Sequence, residues 1–411
     1  MTLDALQRLM RGFRRLAPYN AAQVVELDEP VDVTGWERAA EDVVLETGLG
    51  RPVFSAGERQ VRFEPVPFTG VANVTEDLAT HLASELNAPF PDDALPLRFF
   101  ALGRHAGVVY DHWIADSHAI RALLERIHSR LDRRPFPDGR QPAEADRSGP
   151  ATGARSWISF LLGPVRDLLR HRHAFRISLA DPLDFRTGVL LLGLPEGLTE
   201  SLRARGRALG ATVHDLLLFA LARAIWSTTD VVREPSEKRK DLALGTIVDL
   251  RDPGDDTFGM RLGSFTTIHR RRADGELDAV AEITRQSRAG KRHARESASP
   301  FEAAHFFWRL TLSDRDRALL FHRNAPVAAG ISNVLVTESR AGIRGHLTVS
   351  PAGPLASLVV TPTTAGPRTN LCVTYRVTAW SEETVARIAD DFVRQLSVIA
   401  LPGSPSSRSG R

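Results

Sequence analysis

The sequence predicts an α/β protein built as two lobes, each a mixed sheet flanked by helices. Three observations carry that prediction. The chain has 411 residues, too many for one ordinary core and suited to two of about 200 each. Strand-like and helix-like patterns alternate in both halves. Between the halves, residues 133–155 (RRPFPDGRQPAEADRSGPATGAR) lose all apolar periodicity, and proline, glycine and charge take over, as in a linker or surface loop. The expected division is an N-terminal lobe over 1–155 ending in that linker, a C-terminal lobe over 156–401, and a disordered Ser/Gly/Arg-rich tail over 402–411.

The chain opens with an amphipathic helix that places Leu3, Leu6, Leu9, Met10 and Phe13 on one side. An extended stretch at Ala22–Leu27 leads to a helix over Thr34–Thr47, with Thr34 as N-cap and Gly48 as stop. A short strand at Gln60–Pro65 and a helix at Glu76–Leu86 follow. Two strong strands come next, Leu97–Leu102 (LRFFAL) and Gly107–Tyr110 (GVVY). Ala119–Leu131 then repeats Ile120, Leu123, Leu124, Ile127 and Leu131 at helical spacing. The second half begins with a helix over Trp157–Leu169, a strand at Val189–Leu194 and a helix from Leu198. Gly210–Trp226 (GATVHDLLLFALARAIW) reads as a largely buried helix. Strands are expected at Leu242–Val248, Ser264–His269, Gly330–Val336, Ser357–Thr361 and Asn370–Val377. A last amphipathic helix spans Glu382–Ile399.

Composition narrows the function classes. A hydrophobic fraction of 43% and a charged fraction of 25% are those of a globular protein. No apolar run reaches the ~18 residues of a membrane span, and the basic N-terminus lacks the apolar core and cleavage site of a secretory signal. The single cysteine, Cys372, excludes an intrachain disulfide and a multi-cysteine metal site, and in NLCVTY it reads as a small buried residue. These features predict a cytoplasmic enzyme. The 53 basic and 50 acidic residues leave a formal charge of only +3. With no basic tail and no basic–aromatic repeat, a nucleic-acid partner is not expected. Arg270–Arg272 and Lys291–Arg292 read as solvated surface that could also face an acidic partner.

Chemistry concentrates at DHWIADS, residues 111–117, where a strand ends and a helix begins. A bare His-x-x-x-Asp carries little weight, since His128–Asp132 matches it too, within a helix where such neighbours are ordinary. His112–Asp116 differs in its setting, because strand-to-helix junctions lie at sheet edges where clefts form. Asp116 and Ser117 are also good N-cap residues, so two readings stand on spacing alone, a catalytic turn and a capping turn with a half-buried histidine. His171 and His173 gain no carboxylate or cysteine partners in the sequence and read as surface or helix-end residues, so no metal site is expected. His214 reads as bonding locally near a helix start.

These segments, taken in order, resemble the superfamily of condensation domains and chloramphenicol-acetyltransferase-like acyltransferases, which includes wax ester synthases and polyketide-associated and plant acyltransferases. ALPLRFF (94–100), VVYDHWIADS (108–117) and the helix after them are similar to its N-terminal half. GATVHDLLLFALARA (210–224), LALGTIVDLRDP (242–253), LGSFTTIHRR (262–271) and ISNV (331–334) match later landmarks in the expected order. The resemblance implies two chloramphenicol-acetyltransferase-like lobes with an active-site tunnel between them. It implies His112 as general base, with Asp116 turned from the substrate and paired with Arg251 to fix the turn. Asp111 replaces the family's first histidine and Ser117 its glycine, and the Asp-Phe-Gly-Trp-Gly segment of many members is absent. Asp111, if close, would raise the pKa of His112. Asp111, Trp113, Ser117, Ser332 and Asn333 are candidate substrate or oxyanion contacts.

The activity so implied is transfer of an acyl group from a thioester to a hydroxyl or amine, in natural-product assembly of the nonribosomal-peptide kind. The donor would be coenzyme A or a phosphopantetheine arm on an acyl or peptidyl carrier protein, acting as co-substrate with no permanently bound cofactor, and the acceptor a small alcohol or amine. Two other readings remain. One is a non-catalytic condensation-like protein that binds a carrier protein or partner enzyme; the other is a divergent member that catalyses cyclisation, dehydration or epimerisation.

Overall fold

The computed structural model describes residues 1–131, 169–228, 239–252, 255, 257–270, 275–296, 299–311, 313–336 and 340–401. The expected linker at 133–155, the Trp157–Leu169 helix up to residue 168, Asp132 and the expected tail lie outside the described residues.

Helix α1 (Ala5–Arg14) starts at a capping box, in which the Asp4 carboxylate accepts from the Gln7 N–H and the Gln7 side chain accepts from the Asp4 N–H. Strand β1 (Asn20–Leu27) precedes α2 (Val33–Thr47), which stops at Gly48 in the left-handed conformation, φ 67°. The N-cap of α2 is Asp32, not Thr34, which lies inside the first turn. Strands β2 (Arg51–Phe54) and β3 (Val61–Glu64) form a separate ribbon, and β4 (Val71–Asn73), α3 (Leu78–Asn87), β5 (Leu97–Leu102), β6 (His105–Asp111) and α4 (Ser117–Leu131) complete the first half.

The second half contains β7 (Thr187–Gly193), α5 (Leu198–Leu209), α6 (Val213–Thr228), β8 (Leu242–Asp249) and β9 (Leu262–His269). Three helices absent from the sequence expectation follow, α7 (Glu276–Glu296), α8 (Ser299–Leu310) and α9 (Asp314–Asn324). The expected strand at Gly330–Val336 is two strands, β10 (Ala329–Ile331) and β11 (Val334–Val336), both parallel to β13 (Leu358–Ala365). Ser332 and Asn333 occupy the break. Strands β12 (Ile343–Val349) and β14 (Arg368–Arg376) and helix α10 (Glu382–Ala400) end the described chain.

Two mixed sheets result. The first has the order β12-β1-β6-β5-β4, and the second β7-β14-β13-β10-β8-β9 with β11 also on β13. Strand β12 therefore leaves the second half and pairs antiparallel with β1, Leu347 opposite Val24. One large core lies between the first sheet and α1, α2 and α4, and another between the second sheet and α5, α6 and α10. A smaller core sits where the halves meet, with Leu82 and Leu86 of α3 and Val24 of β1 in the same cluster as Leu347 and Cys372. Cys372 is fully buried there, and burial pushes its thiol above the ordinary range. Asn87 adds a polar tie, accepting from the Thr187 N–H at 2.8 Å and donating to its carbonyl at 2.9 Å. Among the described residues no single helix is long and apolar enough to cross a membrane.

Gly107 shows how tightly the first sheet is packed. A Cβ there would lie 2.3 Å from Phe100 Cζ and 3.1 Å from the Gln23 carbonyl, and Phe100 is itself buried. Gly107→Ala is expected to destabilise the protein by about 1–3 kcal/mol, read from chemical denaturation.

Candidate active site

The turn after β6 is held from both sides. On one side the His112 N–H donates to the Tyr19 carbonyl at 3.1 Å, and the Ile114 N–H to the Asp111 carbonyl at 3.1 Å. On the other, Asp116 begins α4, accepting the Ala119 N–H on Oδ1 at 3.1 Å. Its second oxygen, Oδ2, takes a short hydrogen bond from Arg251 Nη1 and one from the Arg261 N–H at 2.9 Å. The Asp116 N–H donates to the Gly259 carbonyl at 3.1 Å. Arg251 spends its other end on the Thr257 and Gly259 carbonyls, at 3.2 and 3.1 Å. Both partners of the ion pair are enclosed, with side-chain exposures of 4% for Arg251 and 0% for Asp116.

This arrangement leaves His112 facing a cavity of about 2530 Å³ lined by residues from both sheets. Its ring is half-buried, with the Tyr19 and Tyr110 rings at centroid distances of 5.9 and 5.7 Å. Nδ1 is enclosed and has no hydrogen-bond partner of good geometry. Burial lowers the imidazole pKa to about 4, against a lesser opposing effect of the Ala115 backbone. Burial also holds the phenols of Tyr19 and Tyr110 above their ordinary range, so both stay neutral. These two tyrosines were not among the residues expected from the sequence; the signal available was their position immediately before β1 and before Asp111.

Ser117, Ser332 and Asn333 line the same cavity as His112. Ser117 is the first residue of α4, and no described non-glycine residue other than Glu58 has a positive φ. The turn therefore makes no demand at position 117 that only glycine meets. Asp111 and Trp113 are corrected as substrate contacts, because neither lines the cavity. The Trp113 indole is fully buried between Phe54 and Phe63 and donates to Asp111 Oδ2 at 2.8 Å. Arg14 Nε lies 3.3 Å from the same oxygen, while its Nη1 reaches Asp92 at 2.7 Å. Nor does Asp111 raise the pKa of His112, whose shift is downward and comes from burial. Asp111 itself is pushed up to about 6, burial outweighing Arg14 and Trp113.

His118 and Arg121 of α4 also line the cavity, and Arg121 Nη2 sits 3.2 Å from His118 Nδ1. His171, which is buried, and His173, which is exposed, line the cavity as well. His214 bonds not locally but to Thr246 of β8, at 3.2 Å, and burial lowers it to about 4. Among the described residues no group of three histidine, cysteine or acidic side chains is placed to hold a metal ion.

No protein-family model and no curated protein sequence matches the chain. Solved structures do. The first condensation domain of the CDA synthetase is 17% identical with a TM-score of 0.68, covering 97% of this chain and 95% of its own. The condensation domain of the Monacolin K polyketide synthase MokA is 12% identical with a TM-score of 0.66, covering 97% of each chain. SgcC5 from Streptomyces globisporus is 14% identical with a TM-score of 0.65, covering 97% of this chain and 99% of its own. The chain thus has the condensation-domain fold, two mixed-sheet lobes flanked by helices.

Arg14 is the test of how Asp111 is held. In the fold Asp111 has a pKa above its unfolded value, so its ionisation costs stability as pH rises through about 6. Arg14→Met moves that pKa further up, and the variant is expected to lose about 3 kcal/mol at pH 7.5. At pH 5 Asp111 is already mostly protonated, so the loss should shrink. Denaturation of both proteins at the two pH values checks the sign.

Proposed function

We propose that this protein is an acyltransferase of the condensation type, with His112 as general base. The observation that carries the reading is the His112 imidazole, neutral at pH 7, set into the wall of a large cavity between the two sheets by a turn anchored in both lobes. The donor is a thioester of coenzyme A or of a carrier protein's phosphopantetheine arm, and the acceptor is an alcohol or amine. The cavity between the lobes serves as the tunnel in which donor and acceptor meet.

Nδ1 is the ring nitrogen enclosed by protein, so Nε2 is the one that meets the substrate. It takes the proton from the acceptor O–H or N–H as that atom attacks the thioester carbonyl. The new C–O or C–N bond forms a tetrahedral oxyanion, which Ser332 or Asn333 stabilises from the break between β10 and β11. Collapse breaks the C–S bond, and the imidazolium returns its proton to the leaving thiolate. No acyl-enzyme is needed. Asp116 and Arg251 act on His112 through the turn and do not touch the substrate. A carrier protein is the natural partner if the donor is carrier-bound, and the similar structures include a nonribosomal peptide synthetase and the condensation domain of a polyketide synthase.

Removing the base is expected to cost about 10²–10⁴-fold in kcat/KM, so His112→Ala should retain little turnover of acyl thioesters. Native turnover in the variant would refute the assignment, and no turnover by the native protein across a broad panel of thioesters and acceptors would favour the binding reading. The pH profile adds an independent check. A base with a pKa of about 4 is deprotonated above that value, so the acid limb of kcat/KM should fall near pH 4 and not near the ordinary histidine value of about 6.5.

A further inference from the structure

The cavity is chemically lopsided, and its lopsidedness bears on the acyl group. One part of the wall carries Arg172, Arg223, Arg270 and Arg285 with Asp278 and Glu282. A second part of the wall is apolar. It is formed by Leu262, Phe301, Ala304, Leu320, Phe321 and Leu355, all of them only partly buried although packed against the core that contains α1. Leu6 and Met10 of α1 close it at the back. Partly exposed apolar side chains facing a cavity are favourable only if something apolar covers them.

This apolar region begins at His112. Tyr19 lines the cavity beside the His112 ring, and its far edge packs on Phe13 at a centroid distance of 5.2 Å. Phe13 in turn meets Phe321 at 5.8 Å and Trp308 at 5.1 Å. Helix α1 can lie this close to α8 because position 12 is glycine, where a Cβ would meet Trp308 Nε1 at 2.5 Å. On the opposite side, Gly353 lets the chain before Leu355 approach the Tyr19 ring, since a Cβ there would stand 2.7 Å from Cε2. A substrate carbonyl at His112 therefore has a lipophilic recess on one side and a charged channel on the other.

We propose that the recess between α1, α8 and α9 binds the acyl chain of the donor, and that this chain is an extended aliphatic group. The walls are leucine, alanine and phenylalanine side chains with one methionine at the back, surfaces that take up a flexible apolar chain without offering it a polar contact. The thioester arm then runs through the charged part. Chain length is set by the depth of the recess, with Ala304 at its side and Met10 at its end. The inference rests on the acyl-transfer reading for the identity of the occupant.

The test measures binding of N-acetylcysteamine thioesters from acetyl to dodecanoyl by calorimetry, in the His112→Ala background so that nothing turns over. Affinity should rise about fourfold for each added CH₂ until the recess is full. Ala304→Phe should lower the dodecanoyl-to-acetyl affinity ratio at least tenfold, and Met10→Ala should move the optimum to longer chains. A far-ultraviolet spectrum and melting curve for each variant establish that it is folded, and Leu320→Trp serves in place of Ala304→Phe if that variant is not. Affinity independent of chain length, a benzoyl thioester bound more tightly than every alkanoyl one, or a ratio untouched by both recess substitutions would overturn the proposal. Chain-length-dependent binding without turnover in the native protein would sink the transfer reading alone, whereas turnover with no length dependence would sink the recess alone.

Discussion

The buried pair of Asp116 and Arg251 is the contact on which the geometry of the candidate site depends. A carboxylate with no exposure is costly to bury unless opposite charge and hydrogen bonds surround it. Asp116 meets that condition only with help from the second half of the chain. Arg251 and the Arg261 N–H bind Oδ2, and the Ala119 N–H of its own helix binds Oδ1. Removing either partner leaves a buried charge uncompensated, and neither can shift far without losing several bonds together. The strand-to-helix turn that carries His112 is thus located by a segment more than a hundred residues away.

A second carboxylate does comparable work on the other side of His112. Asp111 ties the end of β6 to Arg14 of α1 and to the Trp113 indole. His112 lies between two anchored acids, Asp111 tied to the N-terminal core and Asp116 to the second lobe, and its ring faces the cavity. The lobes themselves are joined by β12 on the edge of the first sheet, by the small shared core around Cys372, and by Asn87 against Thr187. These ties set the distance between the sheets and so the width of the cavity. Burial then keeps the imidazole neutral at neutral pH.

Local pattern carried much of this fold in the sequence. The LRFFAL strand has the expected bounds, the helix from Leu198 begins where apolar spacing put it, and Gly48 ends α2 through its left-handed backbone. The pairing of β12 with β1 was not legible, because IRGHLTV is short and its partner lies over 300 residues earlier. Helices α7 to α9 were missed as well; α7 is so rich in charge that its apolar stripe is thin, and the aromatic run of α8 reads equally as strand. At the site, His112 and the Asp116–Arg251 contact were open to a motif-and-order reading. Asp111 and Trp113 were not, since a residue's direction at the end of a strand depends on what packs behind it, here Arg14 and the ring pair Phe54 and Phe63. The lipophilic recess had no sequence signal either: its walls come from four separated segments whose apolar residues look like ordinary core.

The most direct measurement is a double-mutant cycle on Asp116→Asn and Arg251→Met, read by equilibrium denaturation. If the two side chains act as one buried unit, the single variants each lose about 3 kcal/mol, the double variant loses little more than either, and the coupling approaches the size of one single loss, about 2–3 kcal/mol. Strictly additive losses would mean that the turn bearing His112 is held by something else.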